Sequence, residues 1–92
     1  MRYEFKKSYD RCIKDLPDKT KIEIKNLAFE VIDIFAIGKK PSKGVGLTRL
    51  RKDYWEARTN LSERILFKLK GDLLQFILVG NHNDVRRFLR HI

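Results

Sequence analysis

The apolar residues of this chain repeat with a helical period from Tyr9 to Ala36 and with a period of two from Thr48 to Val79. A sequence whose central part divides in this way folds as helices followed by a sheet, and not as alternating strand–helix units. Tyr9, Cys12, Ile13 and Leu16 fall at i, i+3, i+4 and i+7, which predicts a first helix of about two turns. Ile24, Leu27, Ala28, Val31 and Phe35 form a second stripe, widened by Ile32 and Ile34, and predict a well-buried helix over Asp18 to Ala36. Pro17 separates the two helices and Gly38 supplies a stop. Gly38 to Gly46 is a loop by composition. Thr48–Lys52, Tyr54–Asn60, Arg64–Lys70 and Leu73–Val79 then read as four strands, with hairpin turns at Asn60–Glu63 and Gly71-Asp72. Val85, Phe88, Leu89 and Ile92 return to helical spacing, so Asn83–Ile92 is expected to close the chain as a helix capped by Asn81 or Asn83. Tyr3–Phe5 is expected to be a short first strand, with Met1, Tyr3 and Phe5 on one face.

The expected order is therefore β-α-α-β-β-β-β-α. This is an α+β fold in which an N-terminal helical hairpin packs on one face of a small antiparallel sheet and leaves the other face open. Residues 1–92 are expected to form a single domain, because either half of the chain is too short to stand alone.

Residues two apart in a strand share a face. Tyr54, Glu56 and Arg58 lie opposite Trp55 and Ala57, while Arg64 and Lys68 lie opposite Ile65, Phe67 and Leu69. Arg49 and Arg51 likewise share a face. Leu73–Val79 is apolar on both sides apart from Gln75, so it belongs in a covered position. One face is thus expected to collect Arg49, Arg51, Glu56, Arg58, Arg64 and Lys68, and the other meets the helices.

The formal net charge is +9. That exceeds the ~2–8 usual for a small domain and favours a polyanionic partner. The basic residues are not evenly mixed. The first half is lysine-rich, whereas Arg49, Arg51, Arg58, Arg64, Arg86, Arg87 and Arg90 all lie in the second half. Arginine's planar fork binds phosphate through two parallel hydrogen bonds. Two readings of the charged face stay open at this point: a solvated surface with incidental ion pairs, or an anion-binding surface. His82 follows the last strand, where side chains are presented rigidly yet exposed. No apolar run approaches the ~20 residues of a membrane span, and MRYEFKKSYD has no apolar leader. The lone Cys12 fits a reducing compartment, so a cytoplasmic location is expected. Cys12, His82 and His91 lack metal-ligand spacing, and Gly44-Val45-Gly46 is not a phosphate-loop pattern. Neither metal nor small-molecule cofactor is expected.

Three segments carry a family resemblance. Leu50-Arg51-Lys52-Asp53-Tyr54-Trp55-Glu56-Ala57-Arg58, Glu63-Arg64-Ile65-Leu66-Phe67 and Val79-Gly80-Asn81-His82-Asn83-Asp84-Val85 occur in order with fitting spacing. They resemble the "Leu-x-Gly-x-Trp-x-x-Arg", "Tyr-Arg-hydrophobic-hydrophobic-Tyr" and "Gly-x-His-x-x-hydrophobic" segments of the RelE/ParE superfamily of toxin–antitoxin toxins. The resemblance implies a RelE-like fold and a cognate antitoxin partner. RelE-like members are ribonucleases that cut mRNA, often on the ribosome. ParE-like members inhibit DNA gyrase without cutting RNA. His82, Arg64 and Arg58 match active-site positions of RelE-like members, and Arg49 falls near that of an active-site histidine in some relatives. At Arg86 many active members carry an aromatic residue.

By residue type, RNA cleavage here would draw a base from Glu56 or His82, an acid from His82, and phosphorane-stabilising cations from Arg49, Arg51, Arg58 and Arg64. Tyr54 is expected to stack on a base, and Arg51, Lys52, Lys68 and Arg86 to bind RNA. The expected function is a metal-independent endoribonuclease toxin, an mRNA interferase that inhibits translation with mRNA and the ribosome as partners and no membrane role. The alternatives are a ParE-like gyrase inhibitor and a non-enzymatic RNA-binding module.

Overall fold

The structure, a computed structural model, describes residues 1–59 and 62–92. The expected strand end at Asn60 and the start of the Asn60–Glu63 turn lie outside the described residues. The elements are β1 (Arg2–Phe5), α1 (Lys7–Lys14), α2 (Asp18–Ile37), β2 (Gly46–Arg51), β3 (Tyr54–Arg58), β4 (Arg64–Lys70), β5 (Leu73–Gly80) and α3 (His82–Arg90). Their order is the one the apolar periods predict.

The strands form one sheet in the order β1-β5-β4-β3-β2. Strands β2 to β5 make the expected antiparallel meander. β1 adds to its edge parallel to β5, so the sheet is mixed. The helical hairpin leads from β1 into β2 at the opposite edge of the sheet, and β2 runs antiparallel to β1; three antiparallel pairings later β5 has the direction of β1 and lies beside it.

Helices α1 and α2 cover one face. Ile24, Leu27, Ala28, Val31 and Ile32 of α2, with Tyr9 of α1, close a core over Ala57, Ile65, Phe67, Leu74, Phe76 and Val79. Trp55, Leu47 and Leu69 pack against it, as strand parity requires. Burial pushes the Tyr9 phenol up to about 12, with the Asp10 charge a lesser cause. Gly38 caps the C-terminus of α2 in a left-handed conformation.

The opposite face is only partly open. α3 folds back onto it, and a second, smaller cluster forms from Leu66, Ile77 and Val85, with Leu50, Tyr54, Leu78, Phe88 and Leu89 packed around them. This explains why β5 is apolar on both sides. β5 carries a register shift opposite Leu66/Phe67, and the Ser8 hydroxyl donates to the Ile77 carbonyl there. α3 ends at Arg90, two residues short of the expected Ile92, whose side chain is half exposed.

Asn81 caps α3 through a reciprocal pair. Its side chain accepts from the Asp84 amide at 2.9 Å, and Asp84 accepts from the Asn81 amide at 2.9 Å. Asp84 fits because Gly80 has no side chain: a Cβ there would lie 2.6 Å from Asp84 Oδ2 and 2.7 Å from its Cβ. Gly80→Ala is expected to drive Asp84 off the cap, at a loss of about 1 kcal/mol. Differential scanning calorimetry should register a fall in melting temperature of about 4–8 °C. An unchanged melt would show that the cap does not depend on the glycine.

The loop between α2 and β2 is held down by Glu30, which accepts from the Ser42 amide at 2.7 Å and its hydroxyl at 3.0 Å, with Lys39 at 3.6 Å. The Ser42 amide chiefly, then its hydroxyl and the Lys39 charge, hold the Glu30 carboxyl below its ordinary value against the opposing effect of burial. A carboxyl lowered on folding stabilises fully above its unfolded value of ~4.3, and that contribution is lost as pH falls through the folded value. Wild type is therefore expected to be more stable than Glu30→Gln at pH 7, with the difference shrinking as pH drops below about 4.3. Paired thermal melts across that range test this, and a pH-independent difference would contradict it.

Candidate functional site

Strands β5, β4, β3 and β2 share one end of the sheet. There Gly80 pairs with Arg64, Arg64 with Arg58, and Arg58 with Gly46. Paired residues point to the same face, so two arginines stand side by side between two glycines on the face away from α1 and α2. The Arg58 side chain lies across Gly46, where a Cβ would come within 3.3 Å of Arg58 Nε.

One step inward on the same face, the row reads Leu78, Leu66, Glu56, Thr48. Glu56 is buried at 6% exposure. Its Oε2 accepts from Arg64 Nη1 at 3.0 Å. His82 opens α3 just beyond Gly80 and is exposed. Arg58, Arg64, Glu56 and His82 are therefore gathered at one end of the sheet by three connections: a strand pairing, an ion pair and a helix start.

A second basic group forms toward the other end. Arg51, Lys52, Asp53, Tyr54, Lys68 and Ile92 line a cleft of about 180 Å³. Arg51 donates to the Leu89 carbonyl at 3.2 Å, meeting the C-terminal end of α3 where a cation is favoured. Tyr54 is flanked rather than bare: Phe88 meets it edge-on at 5.9 Å between centroids, and Lys68 Nζ lies 5.4 Å from the ring centre.

Arg49 does not join either group. A register shift between Arg49 and Arg51 sets Arg49 opposite Trp55, on the helix-side face, and Arg51 opposite Tyr54 on the other. The expected shared face is broken because a bulge inserts one residue, Leu50, and so reverses the alternation. Arg49 instead donates to the Lys52 carbonyl at 2.8 Å, bracing the β2–β3 turn. Arg86 is exposed on α3. The neighbouring Arg87 pairs with Asp84 at 3.4 Å.

A larger groove, about 400 Å³, opens between α1 and α2 and is lined by Phe5, Tyr9, Ile13 and Phe29. It lies across the sheet from the arginines and is chiefly apolar, so it is not part of this site. Among the described residues, no group of three or more His, Cys, Asp or Glu side chains is placed to hold a metal ion. No helix among them is long and apolar enough to cross a membrane.

No protein-family model matches the sequence, and no curated protein matches it. Solved structures do share the fold. A chain of the RelB–RelE antitoxin–toxin complex from Methanococcus jannaschii aligns with a TM-score of 0.68 at 17% identity, over 91% of this chain and 95% of that one. The E. coli DinJ–YafQ complex gives 0.68 at 19% identity, covering 92% and 98%. A metal-bound toxin from Helicobacter pylori gives 0.64 at 19%, again covering 92% and 98%. With near-complete coverage in both directions, the likeness extends over almost the whole chain: it has the α+β fold of the RelE-like toxins.

Proposed function

We propose that this chain is the toxin of a toxin–antitoxin pair and that it cuts mRNA at the sheet end formed by Arg58, Arg64 and His82. The observation that carries the reading is the Arg58–Arg64 pair on adjacent strands beside the helix start that presents His82. Arginines on paired strands offer two guanidinium groups to one phosphate, with Glu56 balancing the charge of Arg64 when no phosphate is bound. As the 2′-oxygen bonds to the neighbouring phosphorus and the bond from phosphorus to the 5′-oxygen breaks, leaving a 2′,3′-cyclic phosphate and a 5′-hydroxyl, charge grows on the non-bridging oxygens, and fixed cations stabilise that charge without reorganising. His82, exposed at the rim, takes the 2′-hydroxyl proton and delivers it to the departing 5′-oxygen. Side chains alone carry the chemistry in this reading. Arg51, Lys52 and Lys68 hold the flanking backbone, and the ribosome presents the message.

The toxin part of the reading is supported by the fold shared with chains from antitoxin–toxin complexes. It supplies the expected partner, a cognate antitoxin protein. The alternative of gyrase inhibition without catalysis is favoured by one feature: Arg86 stands exposed on α3 where the resemblance leads one to expect an aromatic.

Mapping of RNA ends in a translating extract separates the two. Wild type is expected to produce new cuts in mRNA. Arg64→Ala should lower the cutting rate by about 10²–10³-fold, as for the loss of one transition-state donor. His82→Ala should lower it by about 10²–10⁴-fold. Intact mRNA together with inhibited DNA supercoiling would replace this reading with the gyrase one.

A further inference from the structure

Glu56 is the one charged residue among the described residues that is buried. Its strand partners are Leu66 on one side and Thr48 on the other. A carboxylate in such surroundings is retained only when a cation and hydrogen bonds compensate it. Arg64 supplies both through Nη1 at 3.0 Å. The pair is unequally covered: the Glu56 side chain is 8% exposed and that of Arg64 22%. The guanidinium therefore sits nearer to solvent than the carboxylate does.

This arrangement suits one role of a carboxylate and not another. A general base must come within hydrogen-bond reach of the hydroxyl that it deprotonates. Glu56 lies behind the arginine that would meet the substrate first. A guanidinium, in contrast, carries five N–H donors in a fixed plane. Holding one of them leaves the same side chain able to bind a phosphate without breaking the pair. Arg58, directly across from Arg64, adds a second cation at the same end of the sheet. Like charges set opposite each other are destabilising, and a buried anion one step inward offsets that.

We propose that Glu56 is a positioning residue: its carboxylate orients Arg64 and balances the Arg58–Arg64 pair so that both face one phosphate, and it takes no proton during the reaction. The inference rests on the nuclease reading for its kinetic consequences, but not for its structural one. Glu56 then acts through Arg64.

Three proteins test it: Glu56→Gln, Arg64→Ala and the double variant, each first shown to be folded by circular dichroism. mRNA cleavage in the translating extract is followed against pH, and the ¹⁵N side-chain signals of arginine are recorded on the free protein. Glu56→Gln is expected to reduce cleavage on the order of 10²-fold, the size of effect that follows a small misplacement of a catalytic group. The acid limb of the pH profile should stay where it is in wild type. The double variant should be no slower than Arg64→Ala. The Arg64 guanidinium signals, distinct in wild type, should average in Glu56→Gln. A lost acid limb, multiplying losses in the double variant, or unmoved Arg64 signals would each overturn the proposal. If Glu56→Gln does not fold, Glu56→Asp replaces it, and a shifted acid limb or unmoved Arg64 signals count against the proposal in the same way. If wild type cuts no mRNA, the nuclease reading fails by itself, and the Arg64 signals still decide whether Glu56 positions that side chain.

Discussion

Everything else in this molecule is arranged around the pairing of β4 with β5. Phe67 and Phe76 face each other across it, both fully buried, with ring centroids 5.9 Å apart. On the reverse side Leu66 and Ile77 are also buried. A pair of strands that is apolar on both faces has to be covered twice. α1 and α2 provide one cover and α3 the other. The charged residues are then left where neither cover reaches: the sheet end at Arg58 and Arg64, and the β2–β3 turn with its neighbour Lys68.

Much of this was legible in the sequence, because helical and strand periods are local properties. The order of elements follows from the periods alone, and the helix-facing set Trp55, Ala57, Ile65, Phe67 and Leu69 follows from parity. Two features escaped it for physical reasons. Parity assumes an unbroken strand, and Leu50 breaks β2. A signal for half of this was present: Leu47 packs into the core, and in a regular strand that alone would place Arg49, two residues later, on the helix side. The bulge then returns only Arg51 to the other face. The second feature is the cover formed by α3. Its stripe of Val85, Phe88 and Leu89 announces a buried face, but which side of the sheet receives it depends on the tight turn at Gly80-Asn81, which periodicity does not describe.

The site shows a similar division. Residue type and strand face identified Arg58, Arg64 and Glu56 as neighbours, and the register confirms that they are. What the sequence does not contain is depth. Glu56 and Arg58 alternate identically in the chain, yet Glu56 is buried and Arg58 is exposed. That difference separates a group that meets the ligand from one that supports its neighbour. Two glycines frame the arginine row for steric reasons, Gly46 beneath Arg58 and Gly80 beneath Asp84, and these too become visible only in three dimensions.

The two covers are not equal. Among the described residues, twelve buried ones make up the cluster under α1 and α2, while three make up the cluster under α3. Local opening is least costly where the fewest apolar contacts must be given up. α3 contributes one buried residue, Val85, to the smaller of the two clusters, so little apolar burial opposes its lifting from the sheet. Since His82 is its first residue and Arg51 is tethered to its last turn, fraying of this helix would disperse the rim of the site long before the sheet itself came apart.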